Sequence, residues 1–193
     1  GQQKPLRIDI LLGMATAYVI QRDLSKARKI LIQALEVYPI LEQSNELMKA
    51  RIQNIMAALH LLDNDPEIAI KVAKEALESL KKVPTNVGNQ ERADVYRTLG
   101  RSYWRMGNQQ QALDAFKAEA DHAQSLLSRD EKRIGIALHH LADLYQSTRQ
   151  ADRAIANYRR ALTHKNAQHD PLSYFMTQAA LHCILLDEDR KSV

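Results

Sequence analysis

The chain has 193 residues, 45% hydrophobic and 26% charged, a balance that excludes a disordered segment. Its 6 Gly and 5 Pro are too few for the many tight turns of a sandwich or barrel, so long helices are expected. The formal charge of +4 comes from Lys and Arg interspersed with Asp and Glu, a pattern that permits nucleic-acid binding but does not indicate it, and none is expected.

The chain opens on Gly1 rather than Met and reads as a piece of a longer protein. The first apolar stretch, 11–20, is shorter than the roughly 18 residues that span a bilayer, and Gly13, Thr16 and Tyr18 interrupt it. With no membrane span and no secretory leader in view, a cytoplasmic setting is expected. A helix over this stretch is followed by the polar turn 22–25 and by a second helix carrying Ala27, Leu31 and Ala34, which ends at Pro39. The next helix pair turns at 63–66, where Asp65 before Pro66 reads as an N-cap with proline in the first turn. Residues 82–90, with Pro84 and Gly88, read as the longest and most flexible connector. Two further pairs turn at 107–108 and 149–152. A last helix is predicted from Asp170-Pro171 to about Asp187, with no partner helix after it. Cys183 sits within its apolar run 181–186 and is expected to be a buried thiol acting as a small hydrophobe.

The pairs repeat one another. Tyr96, Leu99, Gly100, Tyr103, Gly107, Ala112 and Phe116 set the spacing. It recurs as Leu138, Leu141, Ala142, Tyr145, Ala154, Tyr158 and Ala161, and as Leu11, Met14, Ala15, Tyr18, Ala27, Leu31 and Ala34. A weaker copy runs through Met56, Ala57, His60, Ala69, Ala73 and Ala76. The central small residues, Ala15, Ala57, Gly100 and Ala142, stand 42, 43 and 42 residues apart. Residues three and four apart share a helix face, so the first-helix members of a set, such as Tyr96, Leu99, Gly100 and Tyr103, form one stripe, and a small residue at its centre lets the partner helix come close. One pair cannot bury such a stripe alone; stacked pairs share a continuous core.

This pattern resembles the tetratricopeptide repeat, in a long variety of about 42 residues against the usual 34. The resemblance implies an all-α, right-handed solenoid of four repeats, at about 8–49, 50–92, 93–134 and 135–170, with a capping helix at 171–187. His60 stands where the pattern has Tyr, and only the first copy carries the terminal proline, Pro39.

The resemblance also implies a concave groove lined by the first helix of each pair. The inward positions would be Asp9, Leu12, Thr16, Val19 and Ile20 in the first repeat, and Arg51, Asn54, Ala58, Leu61 and Leu62 in the second. They continue as Asp94, Arg97, Arg101, Trp104 and Arg105, and then as Ile136, His139, Asp143, Gln146 and Ser147. Of these, Asn54, Arg97, Arg101, Trp104, Arg105, His139, Asp143 and Gln146 are the candidate partner-binding residues. Arg97, Arg101, Trp104 and Arg105 fall on one helical face, where guanidinium forks and an indole suit an acidic peptide. The same face also reads as a solvated arginine surface paired with neighbouring acids, with Trp104 packed on the next helix. The Lys and Asn with which chaperone-binding members clamp a carboxylate are replaced at their first-repeat positions by Leu12 and Thr16. The apolar inward positions of the first two repeats would hold apolar side chains of a partner, be covered by preceding N-terminal sequence or by a second copy in a homodimer, or pack within the chain.

No catalytic constellation, metal set or cofactor motif is found. His139 and Asp143 are one helical turn apart, but two ligands are too few for a metal site. His182 and Cys183 are adjacent on a helix and point apart. No glycine-rich phosphate loop or GxSxG accompanies them. The function implied is a protein- or peptide-binding scaffold module, not an enzyme. By analogy with long-repeat members, the alternative is the sensory domain of a bacterial signalling protein, with a diguanylate cyclase or DNA-binding output domain elsewhere.

Overall fold

The structure is a computed structural model that describes residues 3–38, 45–125 and 131–191. Among them are nine α-helices and no strand. They are α1 (Gln3–Ile20), α2 (Leu24–Val37), α3 (Glu46–Leu62), α4 (Pro66–Lys81), α5 (Thr85–Arg105), α6 (Gln109–Gln124), α7 (Glu131–Ser147), α8 (Ala151–Thr163) and α9 (Pro171–Lys191). Consecutive helices pack as the pairs α1·α2, α3·α4, α5·α6 and α7·α8, and each second helix also packs on the next first helix, up to α8 on α9. The result is a tetratricopeptide-like α-solenoid.

The core is built on small residues. Ala15, Ala57 and Ala142 are fully buried at the centres of α1, α3 and α7, and Gly100 is buried in α5. Each second helix answers with its own row, such as Ala69, Ala73 and Ala76 of α4 or Ala154, Tyr158 and Ala161 of α8, all at 0% exposure. Alanine offers little apolar area, so much of the burial comes from larger neighbours, with Phe116 and Tyr158 also at 0%.

The turn inside every pair is the same. One residue takes a left-handed conformation: Arg22 (φ 60°), Asn64 (φ 69°), Gly107 (φ 77°) and Arg149 (φ 59°). The following N–H then reaches back to the carbonyl of Tyr18, His60, Tyr103 or Tyr145, closing the helix end with a six-residue Schellman loop. His60 therefore serves this turn as tyrosine does in the others, because only its backbone is used.

Three expectations need correcting. The connector between α4 and α5 is short, because α5 already begins at Thr85. Gly88 and Asn89 are buried there, and Arg92 holds the segment by donating to the carbonyls of Leu80 (2.6 Å) and Val83 (2.7 Å). Asp65 does occupy the N-cap position before Pro66, but its side chain makes no capping hydrogen bond. Asp23 and Asn45 do cap α2 and α3, accepting from the N–H groups of Lys26 and Met48 at 3.1 Å. Cys183 is exposed, since it lies on the outer face of α9 where no described helix packs, and Ile184 faces inward instead. Pro39 lies outside the described residues.

Candidate partner-binding groove

The first helices of the pairs line a groove made of two adjoining concavities that share Arg101. The larger, about 600 Å³, is walled by Leu12, Thr16, Val19 and Ile20 of α1 together with Arg51, Asn54 and Ala58 of α3. Across it stand Asp94, Arg97 and Thr98 of α5, and Arg133 and Ile136 of α7. The smaller, about 570 Å³, lies between Arg101, Trp104 and Arg105 of α5 and His139, His140 and Asp143 of α7, with Leu61 of α3 and Met176 of α9 at its ends.

Seven of the eight candidate residues therefore line the groove. Asn54 and Arg97 face the larger concavity, Trp104, Arg105, His139 and Asp143 the smaller, and Arg101 both. Gln146 lines neither, and its amide oxygen accepts from the Tyr158 hydroxyl at 2.7 Å. Of the apolar positions, Leu12 (1% exposed) and Leu61 (3%) belong to the core, whereas Ile20 is 77% exposed at the groove end.

The charges in the larger concavity close on one another. Asp9 pairs with Arg51, which lies 4.0 Å from Glu91. Asp94 accepts from Arg97 at 2.9 Å and from Arg133 at 2.5 Å. Behind this ladder Arg97 Nε donates to Glu119 Oε1 at 2.7 Å, and His140 Nδ1 meets Glu119 Oε2 at 3.1 Å. Burial works against both members of the Arg97–Glu119 pair. Glu119 and Asp94 outweigh it for Arg97 and raise its pKa further, while His140 and Arg97 outweigh it for Glu119 and hold that carboxyl below its ordinary value. Burial is the largest influence on Glu91, whose pKa is raised. Neither Glu91 nor Glu119 is suggested by the sequence pattern. Glu119 sits one turn after Phe116 on a second helix, where the repeat pattern places only core residues.

The smaller concavity is different. Arg101 has no hydrogen bond or ion pair among the described residues, and Arg105 donates only to the Leu61 carbonyl at 2.6 Å. Burial lowers the pKa of Arg101, and the neighbouring charges of Arg97, Arg105 and Arg22 lower it further. The groove thus holds two guanidinium groups that form no ion pair with a carboxylate among the described residues, Glu119 reaching Arg101 through its field alone. Trp104 is half-buried, with its edge on Phe116 at a centroid distance of 6.3 Å.

Opposite, His139 is fixed by a chain of polar contacts. Lys165 Nζ donates to Thr177 Oγ1 at 2.6 Å, and Thr177 Oγ1 lies 3.0 Å from His139 Nδ1. His139 Nε2 faces Asp143 Oδ2 at 3.4 Å, and the Tyr158 hydroxyl donates to Asp143 Oδ1 at 2.6 Å. Burial, aided by Lys165 and His140, takes the His139 pKa down to about 4, so its ring is neutral at pH 7. Burial likewise takes Lys165 down to about 8 and raises Tyr158. No cluster of three potential metal ligands occurs among the described residues, and no described helix is long and apolar enough to cross a membrane.

Residues 91–167 match a family model described as tetratricopeptide repeat. No curated protein matches the sequence. Among solved structures the chain is similar to BtubC (BKLC) from P. vanneervenii, with a TM-score of 0.76 at 20% identity over 93% of this chain and 74% of that one. It is also similar to a putative kinesin light chain from Podosopora anserina with nearly identical TPR-like repeats, with a TM-score of 0.71 at 16% identity over 97% and 90% of the two chains. A singly substituted form of the latter gives 0.71 at 15% identity over 100% and 91%. Identities this low speak to the fold alone. Residues 91–167 thus match the tetratricopeptide repeat, and the described helices form a tetratricopeptide-like solenoid similar to that of these structures.

Proposed function

We propose that the chain is a non-catalytic scaffold module that holds a segment of another protein in the groove formed by α1, α3, α5 and α7. Repeats of this fold generally mediate protein–protein interaction, because stacking creates a long concave surface without enclosing a reaction site. One observation carries the reading. Arg101 and Arg105 stand beside the half-buried Trp104 with no carboxylate partner among the described residues, while Arg51, Arg97 and Arg133 in the adjoining concavity are all ion-paired. Guanidinium groups without an ion pair next to a large flat aromatic suit an acidic or carboxylate-bearing segment. The apolar residues at the α1 end, above all Ile20, suit either the partner's apolar side chains or a second copy of the chain.

The test compares capture of a partner by the native chain and by an Arg101→Gln, Arg105→Gln variant of unchanged circular dichroism. The groove reading expects a partner that the native chain retains and the variant loses, with retention falling as salt rises. Equal retention by both would move the binding surface elsewhere.

A further inference from the structure

The smaller concavity contains opposite charges that do not meet. Arg101 and Arg105 on α5 share its space of about 570 Å³ with Asp143 on α7, yet no ion pair joins Asp143 to either arginine among the described residues. Elsewhere in the groove facing charges do close, Asp9 on Arg51 and Asp94 on Arg97 and Arg133. Two of the three groups that stay apart are tethered. Arg105 is tied to the Leu61 carbonyl, and Asp143 is tied from behind by the Tyr158 hydroxyl.

Asp143 also lacks a formal counter-charge close by. The Tyr158 hydroxyl supplies a hydrogen bond and no charge, and His139 is neutral at pH 7 with its pKa at about 4. Lys165, whose field reaches Asp143, places its ammonium on Thr177 Oγ1 and the Ser173 carbonyl instead. The concavity therefore presents a cationic wall and an anionic wall, and the apolar surfaces of Trp104 and Met176 line the same space. Its volume of about 570 Å³ has room for a few side chains of a bound segment.

We propose that this concavity recognises a peptide segment in which an acidic and a basic side chain flank an apolar one. The acid seats on Arg101 and Arg105, the base on Asp143, and the apolar residue against Trp104 and Met176. The inference rests on the groove being the peptide-binding surface, and it adds the partner's charge pattern. A purely acidic segment would leave Asp143 facing like charge, which weakens binding and selects against it.

The test is selection of random displayed peptides on the whole chain, on Asp143→Asn and on Arg101→Gln, Arg105→Gln. Asparagine keeps an oxygen to accept from Tyr158, so only the charge is removed. The proposal expects the native chain to enrich peptides with an acid and a base close together. Asp143→Asn should keep the acid and lose the base, and the arginine variant should do the reverse. For one enriched peptide made synthetically, replacing its base with Gln should weaken binding to the native chain roughly three- to tenfold and leave binding to Asp143→Asn unchanged. Enrichment of acid alone, or a preference for the base that survives Asp143→Asn, overturns the charge pattern and leaves the peptide-binding reading standing. If the native chain retains no peptide at all, that underlying reading fails, and the pattern with it.

Discussion

Arg97 Nε and Glu119 Oε1 lie 2.7 Å apart, joining a groove residue of α5 to a carboxylate of α6 that is 1% exposed. The same carboxylate meets His140 of α7, so one acid ties three consecutive helices together. Removing one partner of such a pair leaves an uncompensated buried charge, which costs about 3–5 kcal/mol. Each partner here keeps a second contact, Asp94 for Arg97 and His140 for Glu119, so Glu119→Ala and Arg97→Ala are each expected to lose less than this, about 1–3 kcal/mol, in urea unfolding. The held-down carboxyl also gives stability a direction with pH. Its contribution is complete above the unfolded carboxyl value, about 4.3, and is lost as pH falls through its lower folded value. Glu119→Gln should remove that acid limb.

Arg101 and Arg105 should behave in the opposite way. Neither has a carboxylate partner among the described residues, and Arg101 is exposed and stands beside the like charges of Arg97, Arg105 and Arg22. Arg101→Gln is expected to leave stability unchanged within about 0.5 kcal/mol or to raise it. Its cost should appear in partner binding. Measuring unfolding and binding on the same Arg97 and Arg101 variants separates the arginine that builds the groove from the one that faces a partner.

His139 gives a second pH signature. Its folded pKa of about 4 lies below the ordinary 6.5, so between these values the unfolded chain takes up a proton that the folded chain refuses. The stability it supplies is complete above pH 6.5 and declines towards pH 4, by roughly 1–3 kcal/mol after allowance for its partial exposure. His122, also lowered by burial, adds to the native slope in the same window. Thermal unfolding of native and His139→Gln chains at pH 7 and pH 5 should therefore give a shallower slope for the variant, not a flat one. Equal slopes would mean that His139 takes up its proton in the folded chain as readily as in the unfolded one.

A Cβ added at Gly100 would run into the ring of Phe116, which is fully buried. The corresponding partners in the other pairs are Ala15 with Leu31, Ala57 with Ala73 and Ala142 with Tyr158. Gly100→Ala gains roughly 1 kcal/mol of helix propensity but overpacks a core site, at about 1–3 kcal/mol, so a net loss is expected. Phe116→Leu alone opens space and also destabilises. The double variant recreates the Ala–Leu pairing of the first repeat. Its loss should fall short of the sum of the single losses by roughly 1 kcal/mol.

The helices and their pairing were legible in the sequence because both follow from the period of small and aromatic residues, whereas the inward positions came from the family resemblance. Ala15, Ala57, Gly100 and Ala142 mark where helices must approach. What periodicity does not report is which charges find partners. Arg97 and Arg101 are one turn apart with the same side chain, yet only Arg97 reaches a buried acid, because Glu119 rises from α6 beneath it. Nor could local composition show that Thr85 starts a helix after Pro84. The order of that segment depends on Arg92 reaching back to α4, and on Asn89 donating to the Ser125 carbonyl beyond α6.

The four turns form an internal comparison of residue types at one backbone position. Gly107 adopts the left-handed conformation without steric cost, Asn64 tolerates it, and Arg22 and Arg149 hold it against their Cβ atoms. Arg149 is exposed and makes no contact with the groove concavities, so it is the cleaner site, whereas Arg22 adds to the field at Arg101. Arg149→Gly should stabilise the chain by about 0.5–1 kcal/mol, the relief of strain exceeding the extra freedom glycine gives the unfolded chain. Gly107→Ala should destabilise it by about 1 kcal/mol. Thermal unfolding of the two variants should move in opposite directions from the native midpoint. Movement in the same direction would mean that the Schellman hydrogen bonds, and not the conformation of this single residue, decide the stability of the turn.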